Sequence, residues 1–84
     1  MNYSLIKDIL LSIRSQQDIV GHKVTVNSSQ FDVDKRKFEK ALEEIHDQGL
    51  AEGIRIVTDA GEYKGIKITR LRLTSKGKRF LKKY

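Results

Sequence analysis

Cysteine is absent from the 84-residue chain, which excludes a disulfide framework and any thiolate chemistry. Long apolar runs are absent as well. The longest covers residues 9–11, far short of the roughly 20 apolar residues a membrane-spanning helix needs, and no segment has the form of a signal peptide. Histidine occurs only as His22 and His46, and neither stands at ligand spacing from a second metal-binding side chain. Acidic residues stop at Glu62, after which nine Lys/Arg follow without a single Asp or Glu. These absences leave a soluble, cytoplasmic chain with no metal site and no membrane partner. At this length it is one domain, residues 1–84, burying only about 60% of its unfolded surface. A hydrophobic fraction of 38% and a mean hydropathy of −0.50 suit such a domain.

The net charge of +6 is unevenly placed. Residues 1–50 carry seven basic and eight acidic side chains, whereas residues 51–84 carry ten basic and three acidic. A one-sided basic segment of this kind points to a polyanionic partner.

Periodicity supplies the elements. In "SLIKDILLSIRS", Ile6, Ile9, Leu10 and Ile13 recur at helical spacing, predicting a first helix over residues 3–16 with Asn2 or Ser4 as its cap. Leu5 and Leu11 fall off that stripe and pack either on a second helix of the chain or on a second subunit. Residues 23–26 alternate as a short strand. Asn27 or Ser28 caps a single helical turn that buries Phe31, and Asp34 caps a helix over residues 34–48. Phe38, Ala41, Leu42 and Ile45 form its apolar stripe, and Gly49 is its stop. A short helix, a tight turn and a longer helix make a helix-turn-helix.

Beyond Gly49 the period changes to two. "LAEGIRIVT" predicts a strand, "DAGEYKG" (residues 59–65) an exposed and mobile hairpin tip, and "IKITRLRL" the returning strand. In that strand Ile66 and Ile68 are out of phase with Leu71 and Leu73, so a β-bulge is expected at Thr69 and Arg70. "TSKGKRFLKKY" reads as a short closing helix, capped by Thr74 or Ser75 and burying Phe80 and Leu81. The predicted core adds Val26, Phe31, Leu50, Leu71 and Leu73 to the helical stripes.

The succession "ALEEIHDQGLAEG", a hairpin and "LTSKGKRFL" resembles the winged helix-turn-helix superfamily, and "SSQFDVDKRKFEKALEEIHDQGL … LTSKGKRFLKKY" is similar to the YjcQ-like family of bacterial and phage proteins. The resemblance covers nearly the whole chain and implies an α+β winged helix-turn-helix in a phage or prophage setting. Such a fold has a three-helix core, a short three-stranded sheet with a β-hairpin wing, and a short C-terminal helix. The shared motifs define the fold rather than an activity.

Catalysis finds no support in the residues. Asp32 and Asp34 are explained by turn and cap duties, Glu43 and Glu44 by a solvated helix face, and no serine has a recognisable histidine and acid set. "DAGEYKG" lacks the glycine spacing and lysine-hydroxyl pair of a phosphate loop. The sequence therefore predicts a protein that is not an enzyme and takes no cofactor. Two functions remain. In the first, a transcriptional regulator binds double-stranded DNA with Lys35, Arg36 and Lys40 of helix 34–48 at the major groove. Lys64, Lys67, Arg70 and Arg72 of the wing then pair with phosphates, free of neighbouring acids. In the second, the fold is an interaction or phage assembly module without DNA binding, meeting a protein partner or a second copy through the first helix.

Overall fold

The computed structural model of the chain describes residues 2–84, in the order helix, single turn, helix, hairpin, helix. The first helix, α1 (Tyr3–Gln17), begins where the Asn2 carboxamide oxygen accepts from the Leu5 amide at 3.1 Å. That bond satisfies one of the donors every helix N-terminus leaves open. Ile6, Ile9, Leu10 and Ile13 are fully buried, and Leu5 is buried by its own chain rather than left for a partner. Leu11 is half-buried.

Asn27 forms a reciprocal capping box with Gln30 and starts a 3-10 turn, Ser28–Phe31. Phe31 is half-buried and stacks on Phe38 with ring centroids 5.9 Å apart. Asp34 then accepts from the Lys37 amide at 2.8 Å and opens α2 (Lys35–Asp47). Two 3.0 Å bonds close this helix, from the Gly49 amide to the His46 carbonyl and from the Leu50 amide to the Ile45 carbonyl. This is a Schellman motif, with Gly49 at φ 68° in the left-handed position. It reverses the chain so sharply that Leu50 is already buried and β1 (Ala51–Asp59) starts one residue later. A clear helix stop directly before a strand is thus what turns the chain from α2 into the hairpin.

β1 pairs antiparallel with β2 (Glu62–Leu73). Between the pairs Glu52↔Arg72 and Ile54↔Ile68, Gly53 alone faces Thr69, Arg70 and Leu71, so the bulge lies where the phase slip placed it. It lets Ile54, Ile66 and Ile68 share the core side with Leu71 and Leu73. The seven-residue tip expected over 59–65 is not formed. Asp59 pairs with Glu62, and only Ala60 and Gly61 lie between them. Both have positive φ, 52° and 80°, the signature of a type I′ turn, whose twist matches that of the strands.

The third strand expected at residues 23–26 is also absent, and the sheet has two strands. Glutamine side chains of α1 take the place of its ladder. The Gln16 carboxamide accepts from the Thr25 amide and donates to the Thr25 carbonyl, both at 2.9 Å. Next to it, Gln17 Oε1 accepts from the Leu73 amide at 2.8 Å. With these backbone groups satisfied, residues 22–27 run beside α1 without pairing to β2.

The last helix, α3 (Ser75–Lys83), is capped by Thr74, whose Oγ1 accepts from the Gly77 amide at 3.0 Å and donates to the Gly49 carbonyl at 2.5 Å. Phe80 is buried against a single core cluster shared by α1, α2 and the base of the hairpin. Val26 and Phe31, expected in that core, flank it half-buried. Thr74→Ala removes both the cap and the tie to the end of α2, and a cap of this type contributes about 0.5–2 kcal/mol. A melt should show a loss of about 4–8 °C per kcal/mol, recovered by Thr74→Ser. No helix among the described residues is long and apolar enough to cross a membrane.

Candidate nucleic-acid interface

The charge on α2 is balanced. It carries four Lys/Arg and four Asp/Glu, arranged in strips around its axis by the 3.6-residue period. Arg36, Lys40, Glu43 and Asp47 share the face opposite the buried stripe. Lys37 and Glu44 flank the start of α1, where they line a shallow cleft with Asn2 and Leu5. Lys35 and Glu39 border the hairpin. The helix therefore offers a polyanion alternating charges rather than a field of one sign.

The hairpin divides its side chains by face. Ile54, Ile56, Ile66 and Ile68 point inward, and Ile66 and Ile68 join Val26, Phe38 and Leu42 around an apolar cleft of about 200 Å3 beside α2. The outer face carries Glu52 opposite Arg72, Arg55 opposite Lys67, and Val57 opposite Gly65. Arg72 Nε lies 3.7 Å from Glu52 Oε1, with both side chains mostly in water, so that ion pair is weak. Arg55 and Lys67 are different. They are direct cross-strand neighbours, both exposed, and no ion pair to either forms among the described residues. Like charges placed opposite each other destabilise a sheet, by about 0.2–1 kcal/mol.

Tyr63, paired with Thr58 near the turn, donates its hydroxyl to Glu39 Oε1 at 2.8 Å and so ties the hairpin end to α2. Partial burial, this hydrogen bond and the nearby charges of Glu39 and Glu43 push its phenol up to about 12. The fold favours the neutral phenol. The stabilisation is thus fully present below the ordinary tyrosine value near 10 and is lost as pH rises through about 12. A spectrophotometric titration should show one tyrosine ionising late, and Tyr63→Phe should delete that late step. If Tyr63→Phe instead removes a step near pH 10, the tie to α2 is absent.

The seven side chains that the sequence assigns to DNA fall into separate groups. Lys35, Arg36 and Lys40 lie on α2, and Lys67 and Arg72 on the outer face of the hairpin, with Lys35 on the inner side beside Ile66 and Ile68. Lys64 is the extra residue of a second irregularity near the turn and contacts Glu62 at 3.4 Å. Together with Asp59, Glu62 makes the hairpin end net acidic. The expectation of four hairpin cations free of acidic neighbours thus holds for Lys67 and not for Lys64 or Arg72. Arg70 leaves the ladder at the bulge and lines a cleft at the end of α1 with Asp18, Lys23 and Lys78, a cleft that Arg72 also borders.

Arg55 was not singled out by sequence. Its signal was present in the alternation of Ile54 and Ile56, which sends Arg55 outward. Only the register, set by the bulge and the two-residue turn, shows that it meets Lys67.

A family model described as YjcQ protein matches residues 3–84, and the chain belongs to that family. No curated protein and no solved structure matches it.

Proposed function

We propose that this YjcQ-family chain is a small winged-helix protein that binds double-stranded DNA through the outer face of its wing, the β1–β2 hairpin. It acts in the cytoplasm as a transcriptional regulator of phage or prophage type, without catalysis or cofactor. The observation that carries this reading is the Arg55↔Lys67 pair. A fold does not gain from two cations set directly opposite each other in water, whereas a phosphate backbone laid across them does. Arg72, one residue pair beyond the bulge on the same face, extends the strip. The balanced charge of α2 supports a secondary role for that helix, with Arg36 and Lys40 near the groove and affinity supplied by the wing.

Binding of this kind is governed by counterion release. Three phosphate contacts imply a log–log slope of affinity against salt near −2.7, at about 0.9 per contact on duplex DNA. Fluorescence anisotropy with a labelled random-sequence duplex measures it. Absence of binding at low salt would transfer the proposal to the second reading, an interaction or assembly module. That reading is favoured by one feature, the apolar cleft between α2 and the inner face of the hairpin.

A further inference from the structure

The bulge that aligns the core also moves Arg70 out of the hairpin. Its backbone sits at φ 46°, a left-handed conformation that a long side chain adopts at a cost and a glycine adopts freely. Strain of this sort persists where the surrounding structure enforces it, and it gathers at sites that bind. Here it delivers the Arg70 guanidinium to a cleft of about 530 Å3 at the C-terminal end of α1, a volume within the usual range of ligand sites.

Three separate parts of the chain bring cations to this cleft. Lys23 comes from the segment after α1, Arg70 and Arg72 from β2, and Lys78 from α3. Asp18 is the one carboxylate in its lining, and Leu71, almost wholly buried, is part of the floor. None of the four cations is paired with Asp18, and only Arg72 has an acidic partner among the described residues. No Phe, Tyr or Trp lines the cleft, and His22 is the one aromatic ring in its lining, so charge rather than stacking dominates it. Guanidinium groups from neighbouring positions, backed by two ammonium groups, suit the oxygens of linked phosphates.

We infer that this cleft is a phosphate site, taking a compact anion with two or more phosphate groups through Lys23, Arg70, Arg72 and Lys78. The phosphates can come from a free oligophosphate or from the backbone of a bound nucleic acid, and the chemistry of recognition is the same. The site shares Arg72 with the outer face of the hairpin, but neither Arg55 nor Lys67 lines it, so the two can be tested apart.

Arg70→Gly and Lys78→Ala test it, in the full chain at low salt, with inorganic pyrophosphate and a short random-sequence duplex as probes. Amide shifts at His22, Lys23 and Leu71 follow pyrophosphate, and anisotropy follows the duplex. Arg70→Gly should melt no lower than wild type, because glycine relieves the backbone, yet weaken binding of at least one probe by about tenfold or more. Lys78→Ala should weaken the same probe. The double variant Arg55→Glu/Lys67→Glu should still bind pyrophosphate, which separates this site from the reading of the hairpin. Pyrophosphate binding that the duplex does not displace identifies a free ligand. Displacement by the duplex, or loss of duplex affinity alone, identifies the nucleic-acid backbone. The inference is overturned if pyrophosphate leaves those amides unshifted and Arg70→Gly binds duplex as tightly as wild type. It is overturned equally if both variants bind both probes unchanged.

Discussion

Gly77→Ala should cost the chain a large part of its stability. A Cβ at residue 77 would stand 1.9 Å from the Leu50 carbonyl oxygen and 3.0 Å from its carbon. Both are backbone atoms, and Leu50 is held by the Schellman motif that ends α2. No rotamer change relieves such a contact, so α3 would have to withdraw. Withdrawal breaks the 3.2 Å bond from the Thr74 amide to the Leu50 carbonyl and the tie from Thr74 Oγ1 to Gly49. It also draws Phe80 out of the core it shares with α1. Overpacking of this severity costs about 1–3 kcal/mol, and each lost hydrogen bond adds about 0.5–1.5 kcal/mol. The sum is a large part of the total of roughly 4–12 kcal/mol expected at about 0.05–0.15 kcal/mol per residue. Thermal unfolding by circular dichroism should show a fall of about 15 °C or more. A shift below about 5 °C would mean that α3 does not seat on Leu50 as described.

Reversing the outer face of the hairpin should produce the largest functional loss. Lys67→Glu places a carboxylate opposite Arg55, replacing a like-charge pair by an attractive one. The melting temperature should hold or rise by a few degrees, since such pairs differ by about 0.2–1 kcal/mol. Duplex affinity should fall about tenfold or more, and the salt slope should drop by about one contact. Arg55→Glu/Lys67→Glu should bring binding down by about a hundredfold, two charge-assisted contacts having been lost. Arg36→Glu/Lys40→Glu on α2 should cost less, because that face is already balanced by Glu43 and Asp47. Equal losses from the two double variants would place α2 and the wing on one binding surface.

The elements that sequence reveals here are those carried by local chemistry. Asn2, Asn27, Asp34 and Thr74 cap where their side chains and spacing place them. The phase slip between Ile68 and Leu71 marks the bulge because side-chain direction alternates along a regular strand, so a slip requires an irregularity in the ladder. The missing third strand was not legible. Lys23, Val24, Thr25 and Val26 have the alternation of a strand, but whether their backbone pairs depends on Gln16 and Gln17, at the end of a helix earlier in the chain. The need for glycine at residue 77 was hidden for a similar reason, since its contact is with Leu50, far away in sequence. The candidate interface divides the same way. Composition located the positive charge in the second half of the chain, while the register decided that Lys67 meets Arg55 and that Lys64 meets Glu62.

The claim that matters most is that the outer face of the hairpin meets the phosphates. Amide chemical-shift mapping of the 15N-labelled chain with a random-sequence duplex at low salt tests it residue by residue. The largest shifts should fall on Arg55, Lys67, Arg72 and their strand neighbours, fading as salt is added. Shifts centred on Arg36 and Lys40 of α2, or no shifts at all, would contradict it.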